Sequence, residues 1–331
     1  MINAKIIADS KSEFGRLTTM QVTFPRYILA ELNTHRMFSR NSASSRAIPF
    51  KKMVESVNTH PFIPIAWQKD HSGMQGTEYI EDDDLIQQCE WDWLQARDFA
   101  VQQAESLNRS LGVTKQICNR LLEPFMWHTV LLSATEFSNF WELRCPQYHS
   151  PVDTHFRHKS KKDLIAAHSN PENLEIFSNF TGFDWLKINE GQADIHMMEL
   201  AEAMYDAYNE SNPKLLQPSE WHIPFGDNIN GDILNIQRNK HSLEELKIRI
   251  AVARCARVSY TVFGEEEKPF NYENDLKLHD KLLSSGHMSP FEHIGRAMTK
   301  DEYNSRLHIA NGGQHGWSGN FKGFIQYRQL I

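Results

Sequence analysis

The chain has 331 residues, 40% of them hydrophobic and 11% aromatic, enough to bury a sizeable core. Charged residues make up 23% and the formal net charge is −7, so no global basic field is available to hold nucleic acid. No run approaches the roughly 20 apolar residues of a membrane span, and the first residues lack the apolar stretch of a secretory signal, which implies a cytoplasmic protein without a membrane partner.

Residues 17–24 alternate β-branched and apolar side chains and predict a strand. Pro25 then opens a predicted helix through Tyr27, Ile28, Leu29 and Leu32 toward His35. Residues 39–46 read as a loop, and 58–83 as irregular chain. A long helix follows, with Ile86, Trp93, Ala100 and Leu107 recurring every seven residues, Asp82, Asp83 and Asp84 as a charge cluster at its start, and Gly112 as its stop. Trp91 and Trp93 on it read as core or interface residues. Thr114 caps a second helix carrying Ile117, Leu121 and Leu122, and residues 127–132 predict a short strand.

Ser133 and Glu136 have the spacing of a capping box, after which Phe137, Phe140, Trp141 and Arg144 share one helix face. Residues 145–191 are polar and rich in His and Lys, and read as an insertion or lid. His149, His155 and His158 within it match no standard zinc spacing, and no metal is expected. Helical spacing returns over 194–208, a turn-rich connector spans 213–232, and Ser242 with Glu245 forms a second capping box. A helix over 275–285 stops at Gly286. Ser289 and Glu292 form a third capping box with Pro290 at the first helical position, and residues 311–323 read as a flexible Gly-rich loop. The four cysteines, Cys89, Cys118, Cys145 and Cys255, are far apart and read as free thiols in a reducing compartment.

The densest chemistry lies in residues 34–46, where three arginines, a histidine and four serines fall within thirteen positions. Planar guanidinium forks and short hydroxyl donors suit a phosphate, while the alternative reading is a solvated surface loop. This segment resembles the R-H-R-x7-S signature of the flavin-dependent thymidylate synthase (ThyX) family: His35, Arg36 and Ser44 match, and Asn41 and Arg46 match its continuation. A second block, Arg120 to Pro124, resembles the family's R-x-x-L-P element, and residues 138–144 are similar to its N-F-x-x-L-R helix. A third pair of blocks, residues 256–260 and 287–293, looks like A-R-V-S-[FY] and H-x-[ST]-P-F-E-H. In the family order this pair comes first; here it comes last, as a circular permutation would leave it.

The resemblance implies an α/β (α+β) fold, a ThyX-like central β-sheet flanked by helices in permuted order. It implies a single domain over 1–331 with 145–191 inserted, and a homotetramer with sites shared between subunits. It further implies methylation of C5 of dUMP, with FAD as cofactor and NADPH and methylenetetrahydrofolate as co-substrates. Carried over by residue, His35, Arg36, Asn139 and His293 would contact FAD. Ser44, Arg46, Arg120 and Arg144 would hold dUMP, with Arg144 and Ser44 catalytic.

Four departures stand out. Thr34 replaces an Arg, Ser42 a Glu, Glu31 a Gln and Glu123 a Leu. They leave two alternatives open: a related nucleotide hydroxymethylase, or a non-catalytic nucleotide-binding homologue.

Overall fold

Alternating side chains build a long antiparallel hairpin at the start of the chain, β1 (Asn3–Ser12) and β2 (Gly15–Pro25), registered from Asn3↔Thr23 to Ser12↔Gly15. The computed structural model describes every residue except 74, 75, 77, 151–154, 230–240, 261–270 and 309–313. After the hairpin come α1 (Leu29–Leu32), β3 (Ser39–Ser42), α2 (Phe50–Thr59), α3 (Asp83–Glu105), α4 (Lys115–Cys118), β4 (Trp127–Ala134) and α5 (Ser138–Arg144). The next segment carries β5 (Tyr148–His149), β6 (Arg157–His158), α6 (Lys161–Ala167), α7 (Pro171–Ser178) and α8 (Gly182–Lys187). Then follow α9 (Ile195–Glu210), β7 (Lys214–Leu215), β8 (Trp221–His222), α10 (Leu243–Arg257), α11 (Tyr272–Ser284), β9 (Gly295–Ala297) and α12 (Lys300–Ser305). Short strands end the chain: β10 (Leu307–His308), β11 (Gln314–His315), β12 (Trp317–Ser318), β13 (Phe321–Lys322) and β14 (Phe324–Gln326).

The main sheet has the order β3-β4-β2-β1-β7, antiparallel except for β7 beside β1. The strand period of two assigns its faces. Met20, Val22 and Phe24 of β2 and Val130 and Leu132 of β4 pack on Met197, Leu200 and Met204 of α9 and Phe140 of α5. Leu131, between them in sequence, points the other way, to Ile248, Val252 and Cys255 of α10 and to Phe291 and Ile294. The chain thus adopts the expected mixed α/β architecture, a central sheet with helices on both faces. A side layer of α2, α3 and α4 has its own core around Met53, Val101, Cys118 and Phe125, where Trp93 donates its indole N–H to the Phe62 carbonyl at 2.8 Å. Trp91, by contrast, is 56% exposed. Residues 145–191 gather a small cluster of Tyr148, Leu164, Phe177 and Trp185. No helix among the described residues is long and apolar enough to cross a membrane.

Several local expectations change. Residues 39–42 form an edge strand instead of a loop, because β4 offers an unpaired edge on which Ser39 registers with Ser133 and Ser42 with Val130. Pro25 ends β2, and a 3-10 turn over Arg26–Ile28 precedes the four-residue α1. Ser133 caps nothing: β4 runs on to Ala134, and α5 starts at Ser138. Ser289 does not cap a helix either. Ser289–His293 is one 3-10 turn, and the Ser289 hydroxyl donates to Asn41 Oδ1 at 3.2 Å. The Gly-rich tail is built into strands from Gln314 onward, while 311–313 lie outside the described residues. Its Gly323 has φ of 77°, and a Cβ there would stand 2.8 Å from the Phe14 backbone, so both conformation and space demand glycine. The connector over 213–232 contains β7 and β8, and its last residues, 230–232, also lie outside the described set.

Candidate functional site

The short α1 returns the chain so that His35 meets the helix α5. Phe140 stands edge-on to the His35 ring at 4.8 Å, and Phe38 stacks at 5.9 Å. These contacts leave His35 8% exposed, with Nε2 accepting from Arg144 Nε at 3.0 Å. Burial, then the Arg144 and Arg40 cations, push His35 down to about 4, so the ring is neutral at pH 7 and able to accept that bond. The Arg144 side chain is 23% exposed, and its Nη1 lies 3.9 Å from Glu31 Oε2. Burial raises the Glu31 carboxyl, Asp194 pushes the same way, and Arg144 opposes both. A neutral imidazole therefore fixes one guanidinium plane at a half-open surface. Arg36 and Asn139 flank the His35–Phe140 contact in sequence; both are exposed, and neither side chain makes a hydrogen bond or ion pair among the described residues.

A second cluster lies beyond β3. Ser44 is half-buried, and its N–H donates to the Ser259 carbonyl at 3.1 Å. Ser45 is 5% exposed and donates its hydroxyl to Glu123 Oε1 at 2.6 Å. That oxygen also lies 3.6 Å from Arg26 Nη2 and 3.9 Å from Arg120 Nη1. Asn119, wholly buried, donates to the Ser45 and Ile48 carbonyls at 2.6 and 3.0 Å and sets the turn. Arg46 stands exposed at its tip without an ion pair among the described residues. Arg120 and Ser45 are thus neighbours through Glu123, and Arg26 joins them.

The C-terminal blocks close on the same loop. Asn41 Nδ2 donates to the Cys255 carbonyl at 2.6 Å and to Ser259 Oγ at 3.2 Å, while its Oδ1 accepts from Ser289. Gln326 Nε2 donates to Ser39 Oγ at 3.0 Å and to the Glu292 carbonyl at 3.1 Å. His293 comes with them but lies beneath the sheet, at 0% exposure, with Nδ1 against Ser133 Oγ at 2.8 Å. It offers no atom to a ligand at this surface, because Ser133 faces the α10 side of β4.

No protein-family model and no curated protein matches the chain. Among solved structures it is similar to a UMP/dUMP methylase, PolB from Streptomyces cacaoi, bound with 5-Br UMP. That likeness is at 17% identity, covering 54% of this chain and 88% of that one, with a TM-score of 0.36. It is also similar to ThyX from Helicobacter pylori with FAD and dUMP, at 12% identity, 58% and 67% coverage and a TM-score of 0.30. The likeness is one of fold, and distant.

No cysteine thiol and no insertion histidine side chain makes any of the contacts above; Cys255 contributes only its carbonyl. Burial raises the Cys145 and Cys255 thiols, which disfavours the thiolate a nucleophile needs. His149 and His158 face Glu190 at 3.5 Å and Asp163 at 3.9 Å. Sequence reasoning misses Arg26 and Gln326. The signal for Arg26 is its place after Pro25, whose pairing with Trp127 brings Arg26 beside His128, Nη1 to Nε2 at 3.1 Å.

Proposed function

We propose that the chain is a flavin-dependent thymidylate synthase-like enzyme. In this reading it methylates C5 of dUMP with methylenetetrahydrofolate and reduced FAD, with NADPH as reductant, in a cytoplasmic homotetramer. One observation carries the reading: Asn41, on β3 within the Arg/Ser segment, bonds to both C-terminal blocks, at residues 218 and 248 positions away along the chain. The resembling segments, scattered through the sequence, therefore converge around a single loop. Arg144, from a further segment, bonds to His35 at the start of the same segment.

The donor chemistry of exposed Arg36 and Asn139 fits the acceptor-rich, anionic FAD. When bound, FAD supplies the hydride. Arg144, with its plane fixed by His35, stabilises negative charge developing at the uracil carbonyls. Ser44, Arg46 and Arg120 hold the nucleotide, and the guanidinium groups suit its phosphate. His293 supports the site from below through Ser133. The test is the flavin absorbance of the purified protein with and without dUMP, followed by tritium release from 5-tritiated dUMP. Bound flavin and release support the reading. Colourless protein that cannot be loaded with FAD, or loaded protein that releases no tritium, overturns it. The mass of the product base separates methylation from hydroxymethylation.

A further inference from the structure

The 23-residue α3 buries little of itself. Trp93 and Ala100 pack on the side-layer core with Val101 and Ala104, and of the whole helix only Val101 and Ala104 are buried. On the opposite side Gln88, Gln95 and Gln102 recur every seven residues, all exposed. Trp91 and Phe99 flank that row at 56% and 63% exposure, and Leu85 extends it at 55%. A solvated helix face is usually charged; this one carries amides and two large rings, the composition of an interface core. Charge reaches only its edges, as Asp92 on one side and Asp98 on the other, the latter held by Arg97 Nε at 2.6 Å.

The spacing of this face is self-complementary. Trp91 and Phe99 stand on either side of Gln95, each four residues from it. In an antiparallel two-fold contact centred on Gln95, each Trp91 meets Phe99 of the second copy, and each Gln88 meets Gln102. Asp92 then comes opposite Asp98, whose charge Arg97 offsets. A parallel contact would instead set Asp92 on Asp92 and bring together the two acidic helix starts, Asp82, Asp83 and Asp84. The two rings expose roughly 250 Å² per copy, about a third of the ~800 Å² that each partner of a stable interface buries, and the glutamine row and Leu85 widen the patch. We infer that two copies of this chain pair through the outer face of α3, antiparallel, about a two-fold axis at Gln95. The pairing does not rest on the nucleotide reading above: a colourless, inactive protein would pair in the same way, and a tetramer would hold two such pairs.

Light scattering after size exclusion and a cysteine cross-link test this on the full chain. The unchanged protein should run at an even multiple of the chain mass. Trp91→Glu combined with Phe99→Glu should halve that mass, tetramer to dimer or dimer to monomer, with circular dichroism unchanged because both side chains are exposed. Gln95→Cys should give a disulfide-linked dimer on mild oxidation, because helix axes about 8–10 Å apart bring residues at the two-fold within disulfide reach. Gln103→Cys should not, since its two copies lie about 24 Å apart along the helices, and neither should the unchanged protein, whose Cys89 copies lie about 18 Å apart. A monomeric unchanged protein overturns the inference, as does an unchanged mass in the double variant. Cross-linking through Gln103→Cys as complete as through Gln95→Cys, or through neither, overturns it too. If the double variant loses its circular dichroism, the cross-link decides alone.

Discussion

Replacing His293 with Asn should flatten the loss of stability between pH 7 and pH 5. A row of buried polar groups crosses the α10 side of the sheet. His222 Nδ1 meets Ser10 Oγ at 2.9 Å, and its Nε2 meets Thr19 Oγ1 at 2.8 Å. Thr19 reaches Ser133 at 2.6 Å, and Ser133 reaches His293 Nδ1 at 2.8 Å. His293 Nε2 is buried without a partner among the described residues. Burial pushes His222 down to about 3, with Asp9 opposing, and pushes His293 down to about 3, with His222 adding to the effect. Both folded-state values lie below the ordinary value near 6.5, so the unfolded chain takes up protons first as pH falls. The stability these rings contribute is complete above about pH 6.5 and declines below it. Each costs about 1.4 kcal/mol per pH unit there, or about 2 kcal/mol between pH 7 and pH 5. Burial raises Glu202, Asp206 and Glu31, which titrate in the opposite sense. The histidine contribution is therefore read as a difference between proteins. Asparagine can keep the bond to Ser133 and cannot take up the proton. Urea denaturation followed by circular dichroism at pH 7, 6 and 5 should show the unchanged protein losing about 2 kcal/mol more than His293→Asn. Equal losses would refute the assignment of His293 as a buried neutral ring.

Two further substitutions test other parts of the molecule. Asp275 is fully buried; its Oδ1 takes Arg257 Nε at 2.8 Å and Nη2 at 2.7 Å, and its Oδ2 faces the 2%-exposed Arg254 at 3.4 Å. Asp275→Asn removes the carboxylate from the buried Arg254 and the partly exposed Arg257 and should cost about 3 kcal/mol in urea unfolding; a loss under about 1 kcal/mol would show the cluster to be dispensable. Arg144→Lys keeps the charge but loses the planar fork fixed by His35. Tritium release should fall about 100-fold with circular dichroism unchanged, and undiminished release would remove Arg144 from its role.

The long periodic helices are legible in the sequence because local spacing and local caps decide them. Asp82, Asp194 and Ser242 accept from backbone N–H groups of α3, α9 and α10, and Gly112 takes a φ of 68° just past the π-helical turn Ser106–Ser110 that follows α3. The same reasoning fails where a tertiary partner claims the capping side chain. Ser242 and Ser133 both precede a Glu by three residues, but only Ser242 caps a helix. At Ser133 the backbone is still paired with β2, through Thr19↔Ser133 and Thr18↔Ala134, so strand pairing overrides the local signal. β3 is the complementary case. Its Ser-Arg-Asn-Ser sequence has no apolar alternation, and it extends because β4 has an edge to fill.

The site divides along the same line. Motif resemblance finds the residues whose chemistry is unusual, the loop arginines and Arg144, but it cannot find the neighbour that sets their charge. Glu123 stands in the sequence only as a departure from the motif, and its contacts, like Arg26 itself, emerge once the β2–β4 register sets Arg26 beside His128 and the Asn119 clamp turns Ser45 toward the acid. Two histidines of the resembling blocks, His35 and His293, show why side matters as much as residue type. His35 sits at the rim, where a ring kept neutral can accept from Arg144 and fix a cation for use. His293 approaches the opposite face of β4, because Ser133 lies two residues from Leu131 and shares its orientation toward α10. A ring on that face can only join the C-terminal turn to the sheet. Burial deprotonates both, so the same pKa shift orients a cation in one place and seals a layer in the other.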